Sequence, residues 1–314
     1  MITPAALRTA YATGDSIELA TSGTSGRARR VLRTAASWVD SFDLVAGVCD
    51  LDAASRAWVP GPVTASMNAY AVCLVDHVGG SLAADPSGAS HVFCTPSSLD
   101  ELLADERRPG PLVVVVAGDR LPPRLATRAE AAGHTVHHYY GAAQLSFVGW
   151  GRDADSLRLF PRVRAESRDG ELWVSSPWLC LSEDGDPPVL TSEVRDGRTW
   201  MTVGDRGSVS ADGRLVVTGR ADAVTTGGAT VVLSDVEAAL RPYARGEVVV
   251  FGRPHRRLGS VLVAVCTDAV DTADLPAVAR RVLPASHRPR RWSVLGELPV
   301  TPAGKVDRDR IAAG

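Results

Sequence analysis

Lysine is almost missing from this chain. Of the 34 Lys+Arg residues in its 314, every one except Lys305 is an arginine. Arginine is a planar fork that stays ionised, whereas lysine is a compact point charge on a flexible stem. Lys305 is therefore either an idle charge near a C-terminus or an ammonium placed for a purpose, and Pro299, Pro302 and Gly304 shape its approach as a turn. Paired cysteines are also missing. Cys49, Cys73, Cys94, Cys180 and Cys266 are dispersed and form no CxxC, which excludes a disulfide framework and a zinc knuckle. No apolar run reaches the length that spans a bilayer, and the N-terminus lacks the charged-then-apolar layout of a signal peptide. The expectation is a soluble cytoplasmic protein. A net charge of −2 gives no electrostatic case for nucleic acid or membrane as partner. There is no GxSxG elbow after a strand, which argues against a serine hydrolase, and no internal repeat.

The charge is uneven. From Arg220 onward 14 basic residues face 10 acidic ones, and the basic excess includes the clusters Arg253–Arg257 and Arg288–Arg291. These clusters fit either a phosphorylated cofactor or solvated surface. Hydrophobic content of 45% and mean hydropathy of +0.02 describe a globular chain long enough for two domains.

After a short helical opening, Ser16–Ala20 predicts a strand. It runs into Thr21-Ser22-Gly23-Thr24-Ser25-Gly26, followed by Arg27, Arg29 and Arg30. Small hydroxyl residues and glycines after a strand form either a flexible turn or a loop whose N–H groups and hydroxyls converge on an anion; no lysine stands where a P-loop needs one. Val59-Pro-Gly-Pro opens an apolar helix reaching about Val78, and its Met67, Asn68 and Tyr70 serve either packing or a pocket. Ser98–Glu101 reads as a capping box starting a short helix. The valine run in Pro111–Gly118 predicts a strand buried on both faces. With a helix over Leu125–Ala132 and a strand over His134–Tyr140 it makes a β–α–β unit and hence a parallel sheet. Ligands on such sheets bind beyond the strands' carboxyl ends, which are Gly118-Asp119 and Tyr140-Gly141-Ala142-Ala143-Gln144. His137 and His138, adjacent on a strand, point to opposite faces and make no metal pair.

From about Gly170 the pattern changes to short strands, including Glu171–Ser175 and Trp200–Val203, with a hairpin turn at Ala211–Arg214. Ser234–Glu237 reads as a second capping box before a helix over Asp235–Leu240. Strands over Glu247–Gly252, Ser260–Thr267 and Arg291–Leu295, with a helix over Asp274–Leu283, suit a small α+β domain. The predicted fold class is α/β: a large domain over residues 1–221, with a mostly parallel sheet flanked by helices and a β-rich subdomain, then a small α+β C-terminal domain over 222–314.

Five stretches, in order, resemble the signatures of the adenylate-forming superfamily of acyl-CoA synthetases, adenylation domains and luciferase. Thr21–Arg30 resembles TSGTTGxPKG and Tyr140–Gln144 resembles YGxTE. Val203-Gly204-Asp205 resembles TGD, Gly219–Glu237 resembles GRxDDxIxxGGxxVxPxEVE, and Leu298–Arg308 resembles LPxTxxGKVDR. The likeness runs from about Leu19 to Arg310 and points to short o-succinylbenzoate–CoA ligase-like members.

The resemblance implies two half-reactions. A carboxylic acid attacks the α-phosphorus of ATP, giving an acyl-adenylate and pyrophosphate; a thiol, of coenzyme A or a carrier-protein phosphopantetheine, then displaces AMP. The first step needs in-line positioning and positive charge at the phosphorus. The resemblance gives that role to Lys305. It assigns Thr21 to Gly26 and Arg29 to the phosphates, Tyr140 and Gly141 with Gly118 and Asp119 to adenine, and Asp205 and Arg220 to the ribose. It makes Asp222 a hinge that brings Lys305 in for adenylation and withdraws it for thiol transfer, with Gly227 and Gly228 lining the thiol channel. Met67, Asn68, Tyr70, Ser146, Phe147 and Trp150 are the candidate acyl pocket.

The chain departs from the pattern in four places. Ala143 and Gln144 replace the threonine and the acidic residue of YGxTE, and an amide at the usual Mg²⁺ position is a weaker ligand for a hard dication. Ala28, Arg29 and Arg30 stand where Pro, Lys and Gly are expected. The hinge reads Asp222-Ala223, and Thr64-Ala65-Ser66 lacks a common histidine. Typical members also carry a further region, about a domain in length, before the phosphate loop; the expectation is that a second subunit or partner protein covers the face it leaves. The contrasting reading is a non-catalytic relative that binds a nucleotide or acyl-adenylate in a regulatory or assembly role.

Overall fold

The computed structural model describes residues 2–21, 29–105, 110–184, 189–219, 223–299 and 310–311. They divide into two compact units, one ending at Gly219 and one made of the described residues from Ala223 onward.

The first unit is built on a seven-stranded sheet in the order Ser81–Leu82, Arg56–Trp58, His91–Cys94, Val113–Val116, Thr135–Ala142, Ser146–Gly151, Arg158–Leu159. The first five strands run parallel and the last two antiparallel. The valine run is central because both of its faces are apolar. Val114 and Val116 pack under the helices Pro96–Ala104 and Pro123–Ala131 through Leu99, Leu103, Leu125 and Ala129. Val115 faces the other way, into the cluster of Trp38, Phe42, Tyr70 and Leu74 from the helices Ala36–Val48 and Ser66–His77. Each fully buried side chain of this kind contributes roughly 1.5–3 kcal/mol.

Two further sheets complete the unit. An antiparallel one runs Ser16–Thr21, Arg29–Thr34, Ser182–Asp184. A six-stranded one runs Thr191–Arg195, Arg198–Thr202, Glu171–Ser175, Arg206–Val209, Leu215–Gly219, with Arg164–Arg168 also paired to Glu171–Ser175. The turn at 211–214 joins the last two strands of that path, as the Asp-Gly signal predicts.

The second unit has the strand order Ala229–Val232, Ala223–Thr226, Gly259–Cys266, Val248–His255, with Arg291–Val294 added parallel to Gly259–Cys266. Helices Leu233–Leu240 and Asp271–Val282 cover one face through Val236, Leu240, Leu275 and Ala279. Val249, Phe251, Val263 and Val265 form the opposite face, where Leu298 and Ile311 pack. The fold is the α/β class expected.

Local expectations needed three corrections. The helix read as starting at Ser98 runs from Pro96, capped by Thr95, whose Oγ1 accepts the Ser98 N–H at 3.3 Å; proline is favoured at the first helical position, where its missing N–H costs nothing. The helix expected over Asp235–Leu240 starts at Leu233, and Glu237 Oε1 accepts the buried N–H of Val250 at 2.7 Å. Tyr140–Gln144 is not an open strand end: the strand continues to Ala142 and turns back into Ser146–Gly151.

Candidate functional site

The carboxyl ends of the central strands bring several of the predicted residues together. Past Val116 the chain turns through Gly118 in the left-handed region, φ 83°. A Cβ there would lie 3.5 Å from Thr95 Cγ2 and 3.8 Å from Met67 Sδ, so Gly118, Thr95 and Met67 share one rim. Beneath it the ring of His138, on the neighbouring strand, bonds Val116 O through Nδ1 at 2.9 Å. Burial lowers the His138 pKa to about 4, so the ring is neutral at pH 7 and Nδ1 carries the donated proton.

Tyr140 and Asp205, from different sheets, meet: the phenol donates to Asp205 Oδ2 at 2.7 Å. The Asp205 turn is held firmly. Gly204 takes φ 78° and donates its N–H to Thr202 Oγ1 at 3.0 Å. Thr202 in turn donates to Glu171 at 2.6 Å, and Asp205 O accepts the Leu172 N–H at 2.8 Å. The result is an aromatic ring beside a positioned carboxylate, the chemistry that recognises a base and a vicinal diol.

The hairpin after Tyr140 depends on Gly141, since a Cβ there would stand 2.2 Å from Ser146 O. Ser146 is nearly buried with φ 62°. Phe147 and Tyr70 lie inside the core, with ring centroids 4.9 Å apart, and the Tyr70 hydroxyl bonds Ser41 Oγ at 2.8 Å. Trp150 donates from Nε1 to His137 at 3.2 Å. The buried Asn68 donates to Pro60 O and Pro62 O, and its Oδ1 has no partner among the described residues. Of the candidate acyl-pocket residues, then, Met67 reaches the rim, while Tyr70 and Phe147 support it from beneath.

A second corner is built on charge. Gln144 Nε2 donates to Glu183 Oε1 at 2.8 Å. The same oxygen lies 3.9 Å from Arg29 Nη1, and Glu183 Oε2 accepts the Leu190 N–H at 2.9 Å. Just behind, Arg33 is wholly buried. It donates to Ser37 Oγ at 2.8 Å, to Ala143 O at 2.9 Å and to Trp178 O. Burial lowers its pKa to about 10, so it stays charged at neutral pH.

This corner does not fit a protein-held Mg²⁺. A hard dication prefers unshared carboxylate oxygens; Gln144 brings only a neutral amide, and each Glu183 oxygen already accepts a hydrogen bond, from Gln144 and from Leu190. Among the described residues no three His, Cys, Asp or Glu side chains gather as a metal site. A protein thiol acceptor is not offered either: burial pushes Cys180 up to about 11 and Cys94 to about 12, so neither supplies a thiolate at neutral pH.

In the second unit Gly227 and Gly228, with φ 56° and 82°, form the two-residue turn of the hairpin Ala223–Val232, a conformation that demands glycine-like freedom. Ser22, Gly23, Thr24, Ser25, Gly26, Arg220, Asp222 and Lys305 lie outside the described residues, and Thr21 ends its strand. Sequence reasoning missed Glu183, Arg33 and Thr95. Arg33 had a signal: alternation along Arg29–Thr34 puts Arg29, Val31 and Arg33 on one inward face. Glu183 had none.

No family model matches the chain. The probable 2-succinylbenzoate–CoA ligase of Mycobacterium tuberculosis (strain H37Rv) is 30% identical over 336 residues, covering 96% of this chain and 86% of that protein. The uncharacterized acyl–CoA ligase YhfT of Bacillus subtilis (strain 168) is 26% identical over 319 residues, covering 93% of this chain and 67% of its own length. The solved structure of the amide bond synthetase McbA from Marinactinospora thermotolerans superposes with a TM-score of 0.78 at 24% identity, covering 94% of this chain and 68% of that one; at that identity the likeness is one of fold. The chain belongs to the adenylate-forming superfamily of acyl-CoA synthetases, and it is an AMP-forming ligase.

Proposed function

We propose that this chain activates a carboxylic acid with ATP to an acyl-adenylate and transfers the acyl group to the thiol of coenzyme A. The observation that carries the reading is the Tyr140–Asp205 contact at 2.7 Å, which gives the rim beyond Gly118 a ring for adenine and a carboxylate for the ribose hydroxyls. In this reading Thr21 to Gly26 and Arg29 hold the β- and γ-phosphates, Arg220 supports the ribose, and Lys305 stabilises the charge that develops at the α-phosphorus. The acid carboxylate attacks, pyrophosphate leaves, and the coenzyme A thiol then displaces AMP. Any Mg²⁺ that accompanies ATP is ligated by phosphate and water oxygens. A carrier-protein phosphopantetheine is the alternative acceptor, with Gly227 and Gly228 along its path and Asp222 as the hinge between two poses of the C-terminal unit.

The acyl group sits, in this reading, near Met67, Asn68 and Ser146, above the aromatic floor of Tyr70, Phe147 and Trp150. Aromatic carboxylic acids are therefore the first to try. The test is carboxylate-dependent pyrophosphate release across an acid panel, with coenzyme A consumption followed in parallel. Lys305→Ala is expected to lower release by on the order of a hundredfold or more while nucleotide binding persists. Undiminished release in that variant removes Lys305 from the chemistry.

A further inference from the structure

The strand Ser182–Asp184 carries two acidic residues that face opposite ways. Asp184 points outward and pairs with Arg30 at 3.0 Å, both side chains well exposed; such a pair is worth little. Glu183 points inward, its side chain 1% exposed and facing the buried Arg29. An inward carboxylate is costly to bury unless it is paired and hydrogen-bonded, and Glu183 is both. Gln144 and Leu190 donate to it, and Arg29 supplies the opposite charge. Position 144, where an acidic residue is expected, carries none.

We propose that Glu183 is a positioning residue of the nucleotide site: it delivers from a different strand the carboxylate that position 144 lacks, and through it fixes Arg29, which the reading above assigns to the β- and γ-phosphates. The inference rests on the nucleotide reading above. Its geometry makes the two positions exclusive. Gln144 Nε2 and Glu183 Oε1 are 2.8 Å apart, so a carboxylate at both places two like charges in contact, and both do not ionise together. An amide at both leaves Arg29 without this counter-charge. One carboxylate and one amide keep the 2.8 Å hydrogen bond between the two positions in either order.

That exclusivity sets the test: calorimetric titration of the full chain with ATP and, separately, AMP, which lacks the β- and γ-phosphates. Glu183→Gln is expected to weaken ATP about tenfold and to leave AMP within about twofold of wild type. Gln144→Glu is expected to weaken ATP as well, by crowding two carboxylates. The reciprocal variant, Gln144→Glu with Glu183→Gln, is expected to return ATP affinity to within about threefold of wild type, a non-additive recovery that merely structural damage does not produce. Unchanged ATP affinity in Glu183→Gln, or equal loss of ATP and AMP, overturns the inference. So does a reciprocal variant whose loss is the sum of the single ones, and that comparison decides the matter if Glu183→Gln alone fails to fold. A wild-type chain that binds neither nucleotide overturns the nucleotide reading itself, before any variant is compared.

Discussion

Two corners of the first unit solve the same problem, holding a side chain at a strand end, by different physics. At the Tyr140–Asp205 corner one neutral donor meets one carboxylate at 2.7 Å, and both residues stand where the family signatures put them. The backbone does the holding, through the left-handed Gly204 and the close approach at Gly141. At the Gln144–Glu183 corner the holding is done by buried charge: Arg29, Glu183 and, behind them, Arg33 bonded to Ala143 O. The lesson is that backbone geometry can hold one strand end while side chains hold another, since a buried charge is satisfied by any partner that reaches it.

The comparison is broken most severely at Arg33. Arg33→Met removes the donor to Ala143 O and Trp178 O, leaving buried carbonyls unsatisfied at about 1–3 kcal/mol each; the urea midpoint is expected to fall with an unchanged slope. A midpoint like that of wild type would show that the corner does not depend on its buried cation. Next is Asp205→Ala, which strips the carboxylate from the other corner. AMP affinity is expected to drop by roughly 2 kcal/mol, about thirtyfold, with little change in folding stability, and equilibrium titration reads both. Tyr140→Phe sharpens the contrast with a loss of about 1 kcal/mol in nucleotide affinity, since the ring remains and only its hydroxyl is gone.

The smallest effect concerns pH. His138 has its folded pKa lowered to about 4 by burial, from the ordinary histidine value of about 6.5. The unfolded chain therefore binds the proton first, and stability is lost as pH falls from about 6.5 toward about 4. Between pH 6.5 and 5.5 the expected loss from this residue is roughly 1 kcal/mol. Chemical denaturation at the two pH values, with His138→Phe as the reference, checks it; an identical pH slope in the variant removes the assignment.

Much of the scaffold was legible because it rests on local rules. The valine run became the central strand because an apolar run of that length is stable only with both faces covered, and the Ala211–Arg214 turn followed from Asp-Gly chemistry. The helix start at Ser98 fails for an instructive reason: Ser98 fits a four-residue pattern, but Thr95 with Pro96 offers a better start. Two of the candidate acyl residues, Tyr70 and Phe147, lie in the aromatic core, a depth their positions in the sequence did not show.

By itself the sequence determined the order of the elements, the glycines at the close approaches, the absence of a CxxC pair, and the five signatures that place the chain among the adenylate-forming enzymes. Turn chemistry, side-chain period and motif spacing are properties of neighbouring residues, so they survive in one dimension. Only the tertiary structure decided that Glu183, 39 residues from Gln144, faces it at 2.8 Å, and that Arg33 is buried without a carboxylate among the described residues. Those outcomes depend on which distant strands share a sheet and which way each side chain then points, and no local pattern encodes that pairing.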